Sequence, residues 1–163
     1  MSNLKSIYLA DIDIELKKYP VKVYHIARAL GIEVLQSDCI PDNITGTIQP
    51  NEDNPSQFTI VVNASHPLRR RRLTIAHLIA HYLLHKDVIG EGVTEDTLYR
   101  SNLPFNKEVE ANNMALDILM PWEQLNAFLT DNHIVVNELA DMFDVAPSVM
   151  MTRLGIPVEC RTP

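Results

Sequence analysis

The spacing of apolar side chains changes along the chain from helical to alternating and back to helical. Runs rich in β-branched residues predict strands at 32–36, 44–48 and 58–63, with a hairpin loop at 51–56. Apolar residues every three or four positions predict helices over residues 7–18, 21–30, 66–85, 104–120, 135–143 and 147–154. Pro121 suits the first turn of a further helix, which follows the one at 104–120. The predicted fold class is therefore α+β: mostly helical, with a small three-stranded antiparallel sheet and a helical C-terminal tail.

The helix over residues 66–85 has the clearest signals at its start. Ser65 is expected to cap it, with Pro67 in its first turn. Its positions are apolar almost all round in the second half, which predicts a buried helix. The next residues, 86–103, contain two glycines and several acids and are expected to be irregular.

Length and composition indicate one globular domain with at most a short appended helical piece. The chain has 163 residues, of which 46% are hydrophobic, so a core of useful size can form. No apolar run approaches the roughly 20 residues that span a bilayer, and the N-terminus lacks the apolar stretch of a signal peptide. We therefore expect a cytoplasmic protein without membrane association, in which Cys39 and Cys160 are reduced thiols.

The formal charge of −7, from 21 acidic and 14 basic residues, argues against a free-standing DNA-binding protein. Such proteins neutralise phosphates with basic side chains. One basic run, Arg69 to Arg72, goes against this balance. We expect it to be a solvated helix start with packed aliphatic stems rather than a phosphate site. The acidic balance instead suits a basic protein partner.

Three histidines, His77, His81 and His85, recur every four residues on one predicted helix. Side chains at i and i+4 share a helix face, so neighbouring imidazoles can converge on one zinc ion. On spacing alone, ordinary surface or hydrogen-bonded histidines are the alternative. Because the helix is expected to be buried, the ring nitrogens need either a metal ion or a carboxylate as partner. The next helix supplies Glu108 and Glu110.

Residues 71–85, which read RRLTIAHLIAHYLLH, resemble the zinc helix of ImmA/IrrE-type metallopeptidases. The later run EVEANNMALDILMP at residues 108–121 follows the same family's pattern. The likeness covers about residues 20–122 and is weaker in the tail. It implies a zincin-like domain over residues 1–122, with a helical tail over residues 123–163 packed on it.

The resemblance also implies a zinc site. Its ligands would be His77, His81 and a glutamate of the following helix, which the family's pattern places at Glu108. Glu110 is the fallback because it lies only two residues away. His85 occupies a position where the family often has histidine, and we expect it to support the ligands rather than bind the metal.

One departure from the family's pattern bears on activity. The family reads His-Glu-x-x-His, whereas this chain has Leu78 after the first histidine. In such sites the glutamate takes a proton from the attacking water and passes it to the leaving amine, which is worth about 10²–10⁴-fold in rate. Leucine cannot do this, so no catalytic residue is assigned. Glu91, Glu95 and Asp96 lie in the irregular segment and can in principle reach the site.

Three functions follow from these observations. The resemblance favours a metallopeptidase-like regulatory protein, as part of a toxin–antitoxin or anti-repressor system, that binds a Xre-type helix-turn-helix repressor or antitoxin without cutting it. The second function is that of an active zinc metallopeptidase with an unconventional base. The third is a DNA-contacting regulator, because residues 139–155 have a helix-turn-helix-like pattern. The second helix of that pattern offers only Arg153 as a charge, which argues against base recognition.

Overall fold

Seven helices and four strands make up the part of the chain that the computed structural model describes, which is residues 10–90, 92–96, 101, 103–129 and 135–157. The helices are α1 (Ala10–Leu16), α2 (Val23–Ala29), α3 (Leu68–His85), α4 (Phe105–Leu119), α5 (Trp122–Leu129), α6 (Val136–Met142) and α7 (Pro147–Leu154). The strands are β1 (Ile32–Ser37), β2 (Ile44–Pro50), β3 (Phe58–Asn63) and β4 (Val93–Asp96).

The predicted α+β class is confirmed. Residues 7–9 of the first predicted helix and Cys160 lie outside the described residues, and Cys39 is an exposed free cysteine. Within the described ranges, every helix is too short or too polar to cross a bilayer.

The four strands form one mixed sheet in the order β1-β3-β2-β4. β2 and β3 form the predicted antiparallel hairpin, in which Ile48 lies opposite Ile60. β1 runs parallel to β3, and β4 pairs antiparallel with the other side of β2. The prediction of a three-stranded, wholly antiparallel sheet is therefore wrong in the number of strands and in the direction of one pair.

Two physical features account for this difference. The side-chain amide of Asn63, at the end of β3, lies 3.0–3.2 Å from the carbonyl oxygens of Ile40, Pro41 and Ile44. It thereby holds the β1–β2 connection across the end of β3, and β1 lies beside β3 instead of β2. β4 has four residues, two of them acidic, so it is too short and polar for its alternation to stand out in the sequence.

Helix α3 packs against the sheet and against α4, and it is buried for most of its length. It ends at His85, as predicted. Its start differs from the prediction, because Pro67 precedes the first turn and no side chain caps it. The hydroxyl group of Ser65 donates instead to Oδ1 of Asn63. The residues of α3 with no exposed surface include Ile75, Ala76, Leu78, Ile79 and Ala80.

Two arginines of the basic run hold the C-terminal helices in place, contrary to the expectation of a solvated helix start. Arg72 is buried, and its guanidinium group donates to the carbonyl oxygens of Phe143 and Asp144. Arg69 pairs with Asp141 at 2.8 Å and with Asp144 at 3.1 Å. Acids far downstream in the sequence therefore decide the role of this run.

Aromatic contacts also attach the C-terminal helices to the rest of the described chain. Phe143, directly after α6, is fully buried, and its ring centroid lies 5.7 Å from that of Tyr19 and 6.1 Å from that of Phe128. The guanidinium group of Arg153 in α7 lies 4.4 Å from the ring centroid of Trp122.

The helices predicted at 135–143 and 147–154 are confirmed. The division of the chain at residues 122 and 123 stays a prediction.

Candidate metal centre

The register of α3 brings His77 and His81 together, one helical turn apart. Both side chains have no exposed surface, and their Nε2 atoms lie 3.0 Å apart. The ring planes meet at 81°, with centroids 4.6 Å apart. The Nε2 edges of both imidazoles therefore face one small buried space.

Glu108, in the first turn of α4, is a carboxylate that reaches both histidines. Its Oε2 lies 3.5 Å from Nε2 of His77, and its Oε1 lies 3.5 Å from Nε2 of His81. The Ser101 hydroxyl group donates a hydrogen bond to Oε1 and so helps to fix the carboxylate. The structure thus brings together the three residues that the family resemblance implied as ligands.

Glu110, the fallback ligand, lies on a different face of α4. Two positions along a helix turn the side chain by about 200°, so Glu108 and Glu110 point in nearly opposite directions. Glu110 is half exposed, and its Oε2 lies 2.9 Å from Nε2 of His85. The structure therefore does not bring Glu110 to His77 and His81.

Glu95 of β4 is the site residue that the sequence left unassigned. It is fully buried, and its Oε1 lies 3.3 Å from Nε2 of His77 and 3.4 Å from Nε2 of His81. Its strand alternates in burial, since Val93 and Glu95 face inward and Thr94 is exposed. The sequence would have indicated an inward-pointing acid only if residues 93–96 had been predicted as a strand. Glu91 and the side chain of Asp96, the other acids considered, lie outside the described residues.

The separations among these donor atoms fit a single zinc ion. One ligand atom from each of His77, His81, Glu95 and Glu108 lies within 4.8 Å of the others. Tetrahedral zinc, with ligand atoms at about 2.0–2.2 Å, spaces those atoms about 3.3–3.6 Å from one another. The histidine nitrogens are 3.0 Å apart, slightly closer than this range, and the carboxylate oxygens lie 3.3–3.5 Å from them, with Glu108 facing each histidine through a different oxygen. Imidazole and carboxylate are ligand types that zinc takes, so these four residues can form a metal site.

The carboxylates also set the protonation of the cluster when no ion is bound. Burial lowers the pKa of His77, but its contacts with Glu108 and Glu95 outweigh burial and raise that pKa from 6.5 to about 9. Burial raises the pKa of Glu95, but its contacts with His77 and His81 outweigh burial and lower that pKa to about 2. At neutral pH the metal-free cluster therefore holds a proton on imidazole, which a metal ion has to displace.

His85 links this buried cluster to the surface. Its Nδ1 lies 3.1 Å from Nδ1 of His81, and its Nε2 lies 2.9 Å from Oε2 of Glu110. We assign the protons so that His81 donates from Nδ1 to His85, which donates from Nε2 to Glu110. This assignment leaves Nε2 of His81 free to bind an ion. Hydrogen bonds of this kind fix the tautomer and the ring orientation of metal-binding histidines.

Leu78, which follows the first histidine, fills the space between α3 and the sheet. It has no exposed surface. A Cβ atom placed on Gly46 of β2 would lie 3.4 Å from Cδ1 of Leu78 and 2.9 Å from Cγ2 of Thr74, so the glycine lets α3 approach the strand closely. Gly46 in turn lies opposite Glu95 in the β2–β4 pair. An apolar side chain and the Glu95 carboxylate therefore share this end of the sheet.

An α+β fold in which a buried His-x-x-x-His helix meets a glutamate of the next helix defines a zincin-like protein. The chain belongs to the peptidase M78 family, the IrrE N-terminal-like domains, whose sequence profile matches residues 27–154. The ImmA/IrrE resemblance that the sequence indicated is thereby confirmed.

Among solved structures, the fold is similar to that of a Mycobacterium tuberculosis transcriptional regulator, with a TM-score of 0.60 and 17% sequence identity. The match covers 96% of this chain and 50% of that regulator, so this chain spans half of the regulator's length. At this identity the likeness shows a shared fold. No curated protein matches the sequence.

Proposed function

We propose that this protein is a metal-binding regulatory member of the IrrE N-terminal-like family that binds a protein partner without cutting it. The observation that carries the proposal is the buried Leu78, which stands at the position of the family's general base, beside residues that can hold a metal ion. The fold and the donor atoms of a metallopeptidase are present, while the side chain that would move the proton is absent.

The residues that would hold the metal are His77, His81 and Glu108. The two histidines offer Nε2 atoms from one face of α3, and Glu108 offers a carboxylate from the first turn of α4. His85 and Glu110 would orient His81 from behind. Zinc, when bound at such a site, polarises a carbonyl oxygen and lowers the pKa of water.

Hydrolysis needs a group that takes a proton from water and returns it to the leaving amine. In the family's pattern this group follows the first histidine, where this chain has Leu78. The leucine side chain packs against Gly46, so the position is filled by hydrocarbon rather than left open to water. We therefore expect the rate of peptide hydrolysis to be about 10²–10⁴-fold below that of a site with the base.

The partner that suits this protein is a basic one, and the family resemblance points to a Xre-type helix-turn-helix repressor or antitoxin. The formal charge of −7 favours association with a basic protein. Binding would make this chain part of a toxin–antitoxin or anti-repressor system, acting in the cytoplasm. The structural neighbour, itself named as a transcriptional regulator, is consistent with a regulatory setting.

Direct recognition of DNA is disfavoured by the position of Arg153, the charged residue of α7. Its guanidinium group lies over the Trp122 ring and pairs with Asp117, and the side chain is 8% exposed. An arginine held in this way cannot reach base edges in a groove. We therefore assign the helix-turn-helix-like segment to packing or to protein contacts.

A working metallopeptidase with an unconventional base is the second candidate, and Glu95 is the observation that favours it. Its carboxylate is ionised at neutral pH and lies beside the histidines. If Glu95 acts as the base, the native chain will hydrolyse its partner despite Leu78.

The test uses three zinc-loaded proteins: the native chain, Leu78→Glu, which supplies the family's base, and Leu78→Gln, which is polar but cannot take the proton. Each is incubated with the proposed partner, a Xre-type helix-turn-helix repressor or antitoxin. Binding is measured by calorimetry and cleavage by mass spectrometry. We expect all three to bind the partner and leave it intact, because we propose that the site serves recognition or structure and that the base alone does not restore hydrolysis.

Cleavage by the native chain at a rate comparable to that of Leu78→Glu would contradict the proposal and favour the second candidate. Cleavage by Leu78→Glu alone would mean that the scaffold lacks only the proton shuttle. Absence of binding by the native chain would contradict the proposed partner.

A further inference from the structure

Glu95 is a fully buried acid whose carboxylate group faces the Nε2 atoms of two histidines. It has no exposed surface, and neither of its carboxylate oxygens accepts a well-aligned hydrogen bond from the residues that the structure describes. The Nε2 atoms of His77 and His81 lie 3.3 and 3.4 Å from its Oε1. Burying a carboxylate costs several kcal/mol unless charge and hydrogen bonds compensate for it. A metal ion that displaces the imidazole proton from this cluster would lie beside Oε1 and supply that compensation.

The backbone holds Glu95 in this position. β4 is the edge strand of the sheet, and its pairing with β2 sets Glu95 opposite Gly46. Because residues alternate between the two faces of a strand, the exposed Thr94 requires Glu95 to point inward. The carboxylate therefore reaches the histidines from the sheet, while Glu108 reaches them from α4.

We infer that Glu95 is a fourth protein ligand, which closes the metal site so that the bound ion is structural and has no open position for substrate or water. This inference rests on the metal binding proposed above. Structural zinc sites have four protein ligands, whereas catalytic ones have three and keep one position open. Three ligands come from α3 and α4, and Oε1 of Glu95 supplies the fourth.

The distances favour a ligand over a displaced general base. A base stands within hydrogen-bond reach of the water it activates, outside the group of ligand atoms. Oε1 of Glu95 lies 3.3 and 3.4 Å from the Nε2 atoms of His77 and His81, nearly the same distance as the Glu108 oxygens at 3.5 Å, and all four residues belong to one group of donor atoms. Glu95 therefore occupies a corner of the ligand set itself.

A metal site closed by four protein ligands can bind its ion without a general base at position 78, so Leu78 does not impair metal binding. A site without an open position has no water to activate, so the side chain after the first histidine can serve packing alone. We therefore expect that Leu78→Glu does not restore hydrolysis as long as Glu95 is present.

Cobalt tests this inference, because cobalt(II) adopts zinc sites and its visible absorption reports the coordination number. The probe is acetohydroxamate, a small chelating anion that binds an ion only where a coordination position is free. The proteins are the native chain, Glu95→Ala, the isosteric Glu95→Gln, and Glu33→Gln as a matched control. Glu33 is an exposed strand glutamate at the other edge of the sheet.

We expect the native chain and Glu33→Gln to give four-coordinate spectra that acetohydroxamate does not change. Glu95→Ala should bind acetohydroxamate, with a changed spectrum, and its zinc affinity should fall by more than the roughly 10–100-fold that loss of a supporting hydrogen bond costs. Glu95→Gln keeps the shape of the side chain, so its far-UV spectrum should match the native one while its zinc affinity falls.

A native cobalt spectrum that shifts with acetohydroxamate would overturn the inference and leave the proposed function standing. Equal zinc affinity in the native chain and both Glu95 variants would also overturn it. A native chain that takes up neither cobalt nor zinc would overturn both this inference and the metal binding on which it rests. Cleavage of the partner by the native chain would instead contradict the proposed function.

Discussion

Replacing Glu108 by glutamine removes a negative charge from the proposed metal site and should abolish most of the stabilisation that we expect from zinc. The native carboxylate lies 3.5 Å from both histidine nitrogens and is 9% exposed, so water cannot easily replace it. Zinc at 100 times its Kd stabilises the native fold by about 2.7 kcal/mol. If the substitution weakens binding about 100-fold, the same zinc concentration stabilises the variant by only about 0.4 kcal/mol.

The difference of about 2.3 kcal/mol corresponds to a loss of about 5–9 °C in the zinc-induced shift of Tm for a domain of this size. Differential scanning fluorimetry with and without zinc measures this shift. Glu110→Gln is the matched control, because Glu110 is half exposed and lies 2.9 Å from His85 instead of facing His77 and His81. We expect it to keep most of the shift. A larger loss in Glu110→Gln than in Glu108→Gln would refute the choice of third ligand.

Three further substitutions test other parts of the account by urea denaturation. Gly46→Ala places Cβ 2.9 Å from Cγ2 of Thr74 in α3 and 2.9 Å from a carbonyl oxygen of β3, and it should destabilise the fold by about 1–3 kcal/mol. Gly90→Ala, with no atom within 4 Å, should change stability by less than about 0.5 kcal/mol. Equal effects would contradict the close helix–sheet packing. Arg72→Met keeps the aliphatic stem but loses the bonds to Phe143 and Asp144, and should cost about 1–3 kcal/mol; an unchanged free energy of unfolding would contradict its role. Burial raises the pKa of Glu15, but hydrogen bonds from Lys22, His25 and Lys18 outweigh it and lower that pKa. Glu15→Gln should therefore lower the free energy of unfolding by about 1–2 kcal/mol at pH values above the unfolded-state pKa of about 4.3. The difference from the native chain should vanish as the pH falls through the lowered pKa of the folded state. A difference that persists in acid would show that the charge of Glu15 is not its cause.

The histidines of the site were predictable because their geometry is local. His77 and His81 are one turn apart on a helix whose apolar residues mark it as buried, so their convergence follows from helical spacing. The hairpin of β2 and β3 and the end of α3 at His85 followed from equally local signals. Glu108 came from the family's pattern, and its contact with both histidines depends on how α4 packs on α3.

The remaining features depend on contacts between distant segments. Glu95 lies in a four-residue strand that exists because β2 offers it a free edge, and a single inward acid leaves no periodic signal. Arg72 reads as the solvated start of a helix until Phe143 and Asp144 are brought to it. β1 runs parallel to β3, and the side chain of Asn63 holds the β1–β2 connection, which lies about twenty residues earlier in the sequence. Such long-range pairings are not encoded in any window of the sequence.

The measurement that tests the proposed function most directly is the fate of the proposed helix-turn-helix partner when it is mixed with the native chain and zinc. The two proteins are mixed at equal concentration, and intact-mass spectrometry follows the partner over hours, with a chelated sample alongside. The account predicts a complex in which the partner keeps its full mass, with and without chelator. Discrete partner fragments that form with zinc and disappear with chelator would contradict it.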